Sequence, residues 1–355
     1  MGYLPEDFLA FLIAFLASVG LTAPVRHLAL RIGLVDKPGP RKVHLKPIPL
    51  LGGVAIYCGF VLAVLITLHQ PTSGQIISIL AGATLLALIG FLDDGGFLHH
   101  QVKLFVAMPV AALLLLASGI RFHLISSFVP GQAGTILDGC LTIVWVVGIT
   151  ASFSILDHMD GLCSGIAAIG ALFFTLSANQ GGQVMVRTLG AATLGAALGF
   201  LGWNFNPAKI FMGDGGAMFL GYLMATLSLK LRPEETGSQL GWLVPVLILG
   251  VPIFDTTLVS ISRSRRGLVP FTSPGKDHTA HRLANLGLGT RGAVLSLYLV
   301  ACVFGVLSLL VPALTDRHAI VLVAVVVPCC LVAIYFLESA PYERQRKLSK
   351  SSPAH

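Results

Sequence analysis

Apolar stretches without any charge, each close to the length that crosses a bilayer, recur along the whole chain. A spanning α-helix needs about 20 mostly apolar residues. Seven stretches reach or approach this length on their own: 8–25, 104–120, 139–156, 188–208, 236–254, 292–315 and 319–337. Only 11% of the 355 residues are charged, whereas a soluble domain carries about 25%. The sequence therefore predicts an integral membrane protein.

Three further segments complete the predicted bundle. Segment 47–92 has room for two helices and breaks at "HQPTSGQ", segment 161–186 has room for one, and 215–229 forms a short one. Because period-two alternation is missing, a β-barrel is not expected. The prediction is an all-α polytopic bundle of about 11 transmembrane helices. It forms a single catalytic domain over 1–355, with a polar cytoplasmic tail at 339–355.

The distribution of basic residues predicts the orientation. With the N-terminus outside, 18 of the 23 lysines and arginines fall on one side of the membrane. The positive-inside rule makes that side cytoplasmic and places the C-terminus there as well. The net charge of +7 comes from these loops, so it does not indicate nucleic-acid binding.

Five aspartates stand at the margins of apolar runs, and the same orientation places all five on the cytoplasmic side. They are Asp93 and Asp94 in "GFLDDGG", Asp157 and Asp160 in "LDHMDGL", and Asp214 in "FMGDGG". Carboxylates near a bilayer are costly, and they are functional candidates by default. Such a cluster at one membrane face indicates a divalent cation that serves a phosphorylated substrate.

Each acidic group also has a structural interpretation. Asp93 and Asp94 end a predicted helix, where the helix dipole disfavours anions, so a cation such as Lys103 is expected nearby. Asp157 and Asp160 are three residues apart, which on a helix places both on one face, although one of them could cap the following helix.

Asp214 opens a predicted helix, where capping is again an alternative to chemistry. Phe211, three residues earlier, is a candidate for stacking on a planar base, and a lipid-facing or core position is the alternative. The amides of Asn204 and Asn206 are candidates for contacts with a nucleoside or a sugar.

Two basic segments accompany the aspartates. The first, "LVDKPGPRKVHLKPIPLLGG", contains Lys42 and His44, and the second, "RSRRGLVPFTSPGKDHTAHRL", contains His278, His281 and Arg282. Basic groups beside carboxylates suit phosphate binding, and the histidines could assist in acid–base chemistry. The structural alternative is that these basic residues only orient the protein in the membrane, as the positive-inside rule describes. Asp255 lies inside a predicted span, and its sequence context fits a structural role and a catalytic role equally well.

In their order along the chain, these motifs resemble the polyprenyl-phosphate N-acetylhexosamine-1-phosphate transferases. The resemblance runs from about residue 33 to 283 through "DKPGPRKVHLKPIPLLGGVAI", "GFLDD", "LDHMDGL", "NPAKIFMGDGG", "PIFD" and "HTAHRL". The WecA/TagO branch is closer and MraY is more distant. The resemblance implies transfer of a sugar-1-phosphate, N-acetylhexosamine-1-phosphate, from a UDP-sugar to polyprenyl (undecaprenyl) phosphate with release of UMP. This is the first membrane step of cell-envelope polysaccharide synthesis, at the cytoplasmic face of the bacterial inner membrane.

By motif position the resemblance also implies roles for individual residues. Catalytic roles fall to Asp93, Asp94, Asp214 and His278. A Mg²⁺ ion, with Mn²⁺ as a substitute, is held by Asp214 and Asp94. Substrate contacts fall to Lys42, His44, Lys103, Asp157, Asp160, Asn204, Phe211, His281 and Arg282. Membrane lipids surround the bundle, and a homodimer is left open.

The chain departs from the family pattern at four positions. Ala151 and Ser154 replace two asparagines, Ala280 replaces a histidine, and Ala107 replaces a glutamine. We expect these changes to touch substrate contacts rather than the aspartates. The alternatives are an MraY-like phospho-MurNAc-pentapeptide transferase, a non-catalytic lipid-phosphate binder, and a transporter, whose acids would lie near mid-membrane between repeats.

Overall fold

The computed structural model describes residues 5–36, 47–68, 74–98, 100–232, 240–269 and 275–340. The chain forms two compact units, Met1–Glu235 and Thr236–His355. The prediction of one catalytic domain stays a prediction, and most of the predicted tail lies outside the described residues.

The described part of the first unit is built from eight helices of ten or more residues and a one-turn helix, His100–Val102. The eight longer helices are α1 Glu6–Ile32, α2 Gly52–Thr67, α3 Gly74–Asp94, α4 Met108–Ala117, α5 Gln132–Leu156, α6 Leu162–Gln180, α7 Val184–Asn204 and α8 Gly213–Lys230. A π-helical turn, Lys103–Ala107, leads into α4. A two-residue antiparallel ladder pairs β1 (Val35–Asp36) with β2 (Ile48–Pro49).

The described part of the second unit contains five further helices. They are α9 Leu243–Ile248, α10 Gly250–Arg265, α11 Thr279–Leu283, α12 Gly289–Leu310 and α13 Asp316–Ser339. A π-helical turn, Ala284–Leu288, joins α11 to α12.

Among the described residues, seven helical segments are long and apolar enough to cross a membrane. The helical membrane protein predicted from the sequence is therefore confirmed, and the division of 47–92 into two helices agrees with α2 and α3. The described part of the predicted span 236–254 is not one continuous helix, because α9 ends at Ile248 and α10 runs from Gly250 to Arg265. Pro245 and Pro252 lie in this region, and proline lacks the N–H that a continuous helix needs.

Helix α8 is the central helix of the first unit. All its residues from Gly215 to Leu229 are buried, although it is not among the described helices that are long and apolar enough to cross a membrane. Glycines allow its neighbours to approach closely: a Cβ on Gly90 of α3 would lie 2.4 Å from the Cα of Gly215. A Cβ on Gly53 of α2 would lie 2.4 Å from the nitrogen of Gly216. The "GDGG" turn is therefore held between the backbones of α2 and α3.

Replacement of Gly90 by alanine is expected to destabilise the protein by about 1–3 kcal/mol, the range for overpacking. The added methyl group meets backbone rather than a flexible side chain, so α3 and α8 must separate. Gly148→Ala on α5 is the matched control, because a Cβ there meets nothing within 4 Å, and it should be neutral or stabilising. Thermal melting in detergent measures both. Equal melting temperatures for the two variants would contradict the close contact.

The loop before α8 also caps α2. The N–H groups of Gly52 and Gly53 donate to the carbonyl oxygens of Phe211 and Met212, both at 2.9 Å, and the N–H of Phe211 donates to Pro49 O at 2.9 Å. These bonds satisfy N–H groups that the first turn of a helix leaves unpaired. They fix the segment leading to Asp214 against β2 and α2.

Candidate active site

The end of α3 meets the start of α8 through a carboxylate. Asp94 accepts the N–H groups of Asp214 at 2.8 Å and of Gly215 at 3.2 Å, so it acts as a cap from another helix. Gly213 has φ +73°, and a Cβ on it would lie 2.3 Å from the Asp94 carboxylate. Only glycine allows this approach, which explains why the motif surrounds its aspartate with glycines.

Lys103 bridges two of the aspartates. Its ammonium group lies 2.8 Å from Asp93 and 2.5 Å from Asp214. Lys103 is the first residue of the π-helical turn that leads into α4. The predicted cation beside the acidic pair is confirmed, and it also contacts Asp214, 111 residues away in the sequence.

Ser154, on the last turn of α5, donates a hydrogen bond to Asp214 Oδ1 at 2.6 Å. The expectation that the four departures from the family pattern spare the aspartates is therefore wrong. A serine hydroxyl is short, and it reaches the carboxylate because α5 and α8 pack closely together. Asp214 thus has one oxygen held by a hydroxyl and the other by an ammonium group.

Asp157 and Asp160 do not lie on a helix, contrary to the prediction. Helix α5 ends at Leu156, and Gly161 has a left-handed conformation with φ +77° at the N-cap of α6. The two acids therefore stand on the turn between helices and have different surroundings. Asp160 accepts Asn206 Nδ2 and the N–H of Ala208, both at 3.0 Å, which ties this turn to the loop before α8.

Asp157 accepts no hydrogen bond from the part of the chain that the structure describes. Burial, followed by the negative charges of Asp214, Asp94 and Asp160, raises the pKa of Asp157 well above its usual range. A carboxylate that has no hydrogen-bond donor and lies near other carboxylates destabilises the folded state, so stability does not explain why Asp157 is there.

We expect Asp157→Asn to raise the melting temperature of the metal-free protein at pH 8. A carboxyl whose folded pKa is raised destabilises the folded state at pH values above that pKa. The penalty vanishes as the pH falls below the unfolded pKa. The gain from Asn should therefore shrink on acidification towards pH 4. Melting curves across pH measure this, and a gain that is independent of pH would contradict the raised pKa.

Two other predicted contact residues serve the local fold. Asn204 is buried, accepts the N–H of Gly161 at 3.0 Å, and donates to Ile210 O at 3.0 Å. Phe211 is partly buried, and its backbone is bonded as described above. Their substrate contacts stay predictions.

In the second unit, His278 pairs with the acid that the sequence left undecided. Its Nδ1 lies 2.8 Å from Asp255 Oδ2, and the other carboxylate oxygen accepts the N–H of Thr279 at 2.7 Å. Both side chains are buried. His281, also buried, lies with its ring centroid 6.4 Å from that of His278.

An ion network fixes the residues around this pair. Arg263 donates to Asp277 at 2.9 and 3.1 Å, and Arg266 also contacts that carboxylate. Burial opposes ionisation, but the hydrogen bonds from Arg263 and then Arg266 hold the pKa of Asp277 well below its usual range. The acid therefore remains a fixed anion among the arginines.

Arg282, predicted to contact substrate, is completely buried. Its guanidinium donates to Asp277 O at 2.8 Å, Leu337 O at 2.6 Å and Ser262 Oγ at 2.7 Å, and lies 2.9 Å from Glu338. These contacts join α10, the histidine segment and the end of α13. In this geometry Arg282 is an internal anchor.

Sequence reasoning missed Ser154 as a partner of Asp214 and Asp277 as the anion among the arginines. Both had recognisable signals. Ser154 lies three residues before Asp157, and Asp277 is a lone acid in a basic segment. Lys42 and His44 lie outside the described residues, so their predicted contacts stay predictions.

Comparisons with known proteins indicate the family to which the chain is similar. The sequence profile described as glycosyl transferase family 4 matches residues 76–232, which contain all five aspartates. A Bacillus subtilis protein named "Probable undecaprenyl-phosphate N-acetylglucosaminyl 1-phosphate transferase" is 37% identical over 310 residues, 86% of this chain and 85% of its own. A Mycobacterium tuberculosis "Decaprenyl-phosphate N-acetylglucosaminephosphotransferase" is 33% identical, over 88% of this chain and 87% of its own. A Streptococcus uberis "Phospho-N-acetylmuramoyl-pentapeptide-transferase" is 30% identical, over 71% and 80%.

Proposed function

Because this chain belongs to glycosyl transferase family 4, we propose that it transfers N-acetylhexosamine-1-phosphate from a UDP-sugar to a polyprenyl phosphate. An oxygen of the lipid phosphate takes the place of UMP on the sugar-bearing phosphorus, and the P–O bond to UMP breaks. The products are a polyprenyl diphosphate sugar and UMP. The observation that carries the proposal is the acidic cluster in which Lys103 joins Asp93 to Asp214 and Asp94 accepts the N–H of Asp214. The relatives of this chain are named for this transfer.

The carboxylates fit a Mg²⁺ or Mn²⁺ ion, for which Asp214 and Asp94 are the proposed ligands. Carboxylate oxygens are the ligands that Mg²⁺ prefers, and each oxygen of these two acids keeps a lone pair beyond the hydrogen bond it accepts. Asp157 is a further acidic group beside these two, and it accepts no hydrogen bond from the described residues. When bound, the ion neutralises charge on the phosphate oxygens.

The protein's own groups then have separate tasks. Lys103 supplies a positive charge beside the acids, where the diphosphate needs a counter-charge as UMP leaves. Asp160 and Asn204 hold the turn and the loop that surround the nucleotide, with Phe211 as the aromatic platform. The roles of His278 and His281 towards the substrate rest on the resemblance alone.

The proposed donor is a UDP-N-acetylhexosamine rather than UDP-MurNAc-pentapeptide. The relatives with 37% and 33% identity are named for N-acetylglucosamine, and the histidines are spaced H-x-x-H rather than consecutive. The assay is UMP release by the purified protein with polyprenyl phosphate and a panel of UDP-sugars. Turnover with the pentapeptide donor and with no UDP-N-acetylhexosamine would refute this donor. No UMP from any donor would refute the transfer.

We further propose about 11 spans in the inner membrane, with the N-terminus outside and the aspartates facing the cytoplasm. The support is the asymmetry of basic residues. A single cysteine introduced at His158, beside Asp157, should react with an impermeant thiol reagent only in inverted vesicles. Labelling from outside intact cells would show that the orientation is wrong.

A further inference from the structure

We propose that Ser154 is a positioning residue that sets the orientation of Asp214 and thereby the metal affinity of the site. The inference rests on the metal-dependent function proposed above. It assigns a role to a residue of this chain at a position where the resembling family carries asparagine.

The direction of the hydrogen bond is fixed by chemistry. An ionised carboxylate only accepts, so the 2.6 Å contact between Ser154 Oγ and Asp214 Oδ1 uses the single proton of the hydroxyl. Lys103 holds the other oxygen of Asp214 at 2.5 Å. With both oxygens held by donors from different helical segments, the carboxylate plane cannot rotate without losing one of them.

Backbone packing places the hydroxyl at this distance. A Cβ on Gly221 of α8 would lie 2.9 Å from the Cα of Thr150 and 2.8 Å from the Cβ of Phe153. Thr150 lies one helical turn before Ser154, and Gly221 lies two turns after Asp214. The close contact therefore fixes the spacing of α5 and α8 near the site, and a short side chain at 154 suffices to reach the acid.

Residues that hydrogen-bond a metal ligand orient it, and their removal commonly weakens metal binding 10–100-fold. Loss of the Ser154 hydroxyl would free one oxygen of Asp214 and allow it to turn towards Lys103. The expected effect is on the affinity of the ion before any substrate binds.

The test is titration of the full-length, substrate-free protein in detergent with Mn²⁺, followed by electron paramagnetic resonance. Ser154→Ala should raise the Mn²⁺ dissociation constant about tenfold or more. Ser154→Thr, which keeps the hydroxyl, should stay within about twofold of the wild type. The matched control is Ser152→Ala on the same helix, whose hydroxyl donates to Ile149 O; it should leave the constant unchanged.

Equal dissociation constants for the wild type and Ser154→Ala would overturn the inference, and so would equal weakening by Ser154→Thr and Ser154→Ala. An Asp214→Asn variant that binds Mn²⁺ as tightly as the wild type would overturn it together with the metal site. The UMP assay is independent. A wild-type protein that binds Mn²⁺ and releases no UMP would refute the proposed transfer, while the Mn²⁺ constants would still decide the role of Ser154.

Discussion

Replacement of Asp214 by asparagine is expected to lower UMP release at least about 10³-fold, equivalent to about 4 kcal/mol in the barrier. The substitution keeps the shape of the side chain and an oxygen for Ser154, but it removes the charge that faces Lys103 and the proposed ion. A carboxylate that holds a catalytic cation contributes several kcal/mol to transition-state stabilisation. The protein should still fold, because the loss of one acid also relieves repulsion with Asp157.

Melting curves and UMP release, measured on the same preparation, check this prediction. The matched control is Asp7→Asn, which removes an acid of the first unit that lies 3.6 Å from Arg187 and contacts none of the clustered aspartates. It should keep nearly full activity. Undiminished turnover of Asp214→Asn, or full wild-type activity in EDTA, would exclude the proposed role of this residue.

The sequence predicted the positions of the acids because apolar runs have clear ends. Asp94 closes α3 and Asp214 stands in the first turn of α8, as the transitions from apolar to glycine-rich sequence indicate. A helix end is a local property, determined by composition, glycine and the dipole. The same local logic failed for Asp157 and Asp160, where the i, i+3 spacing indicated a helix and the glycine at 161 instead allowed a turn.

The partners of the acids were less predictable, since they depend on packing between distant helices. Lys103 contacts Asp214 from the first residue of a π-helical turn, and periodicity does not reveal such a turn. Ser154 reaches the same carboxylate because Gly221 lets α8 approach α5. The replacement of asparagine by serine indicated a change in a substrate contact, whereas the structure shows that the serine hydroxyl contacts Asp214.

The contacts of Arg282 also depend on packing between distant helices, so the sequence did not predict them. In the sequence Arg282 belongs to a cationic segment. Segments whose arginines are exposed and bind phosphate have the same kind of composition. In the structure the donors of Arg282 are distributed over Asp277 O, Leu337 O and Ser262 Oγ, with Glu338 as its counter-ion. Leu337 and Glu338 are more than 50 residues away, in a helix whose own sequence indicates only a membrane span.

Arg282→Met is accordingly expected to destabilise the second unit by about 3–5 kcal/mol, the usual result of breaking a buried ion pair. Methionine fills part of the space, but it leaves two carbonyl oxygens without their donor and Glu338 without its nearer cation. The matched control is Arg265→Met, because Arg265 contacts the same Glu338 at 3.8 Å with 68% of its side chain exposed. An exposed pair contributes less than about 1 kcal/mol. Chemical denaturation in detergent measures both variants, and equal, small losses would show that Arg282 is not an anchor and return it to the residues available for substrate.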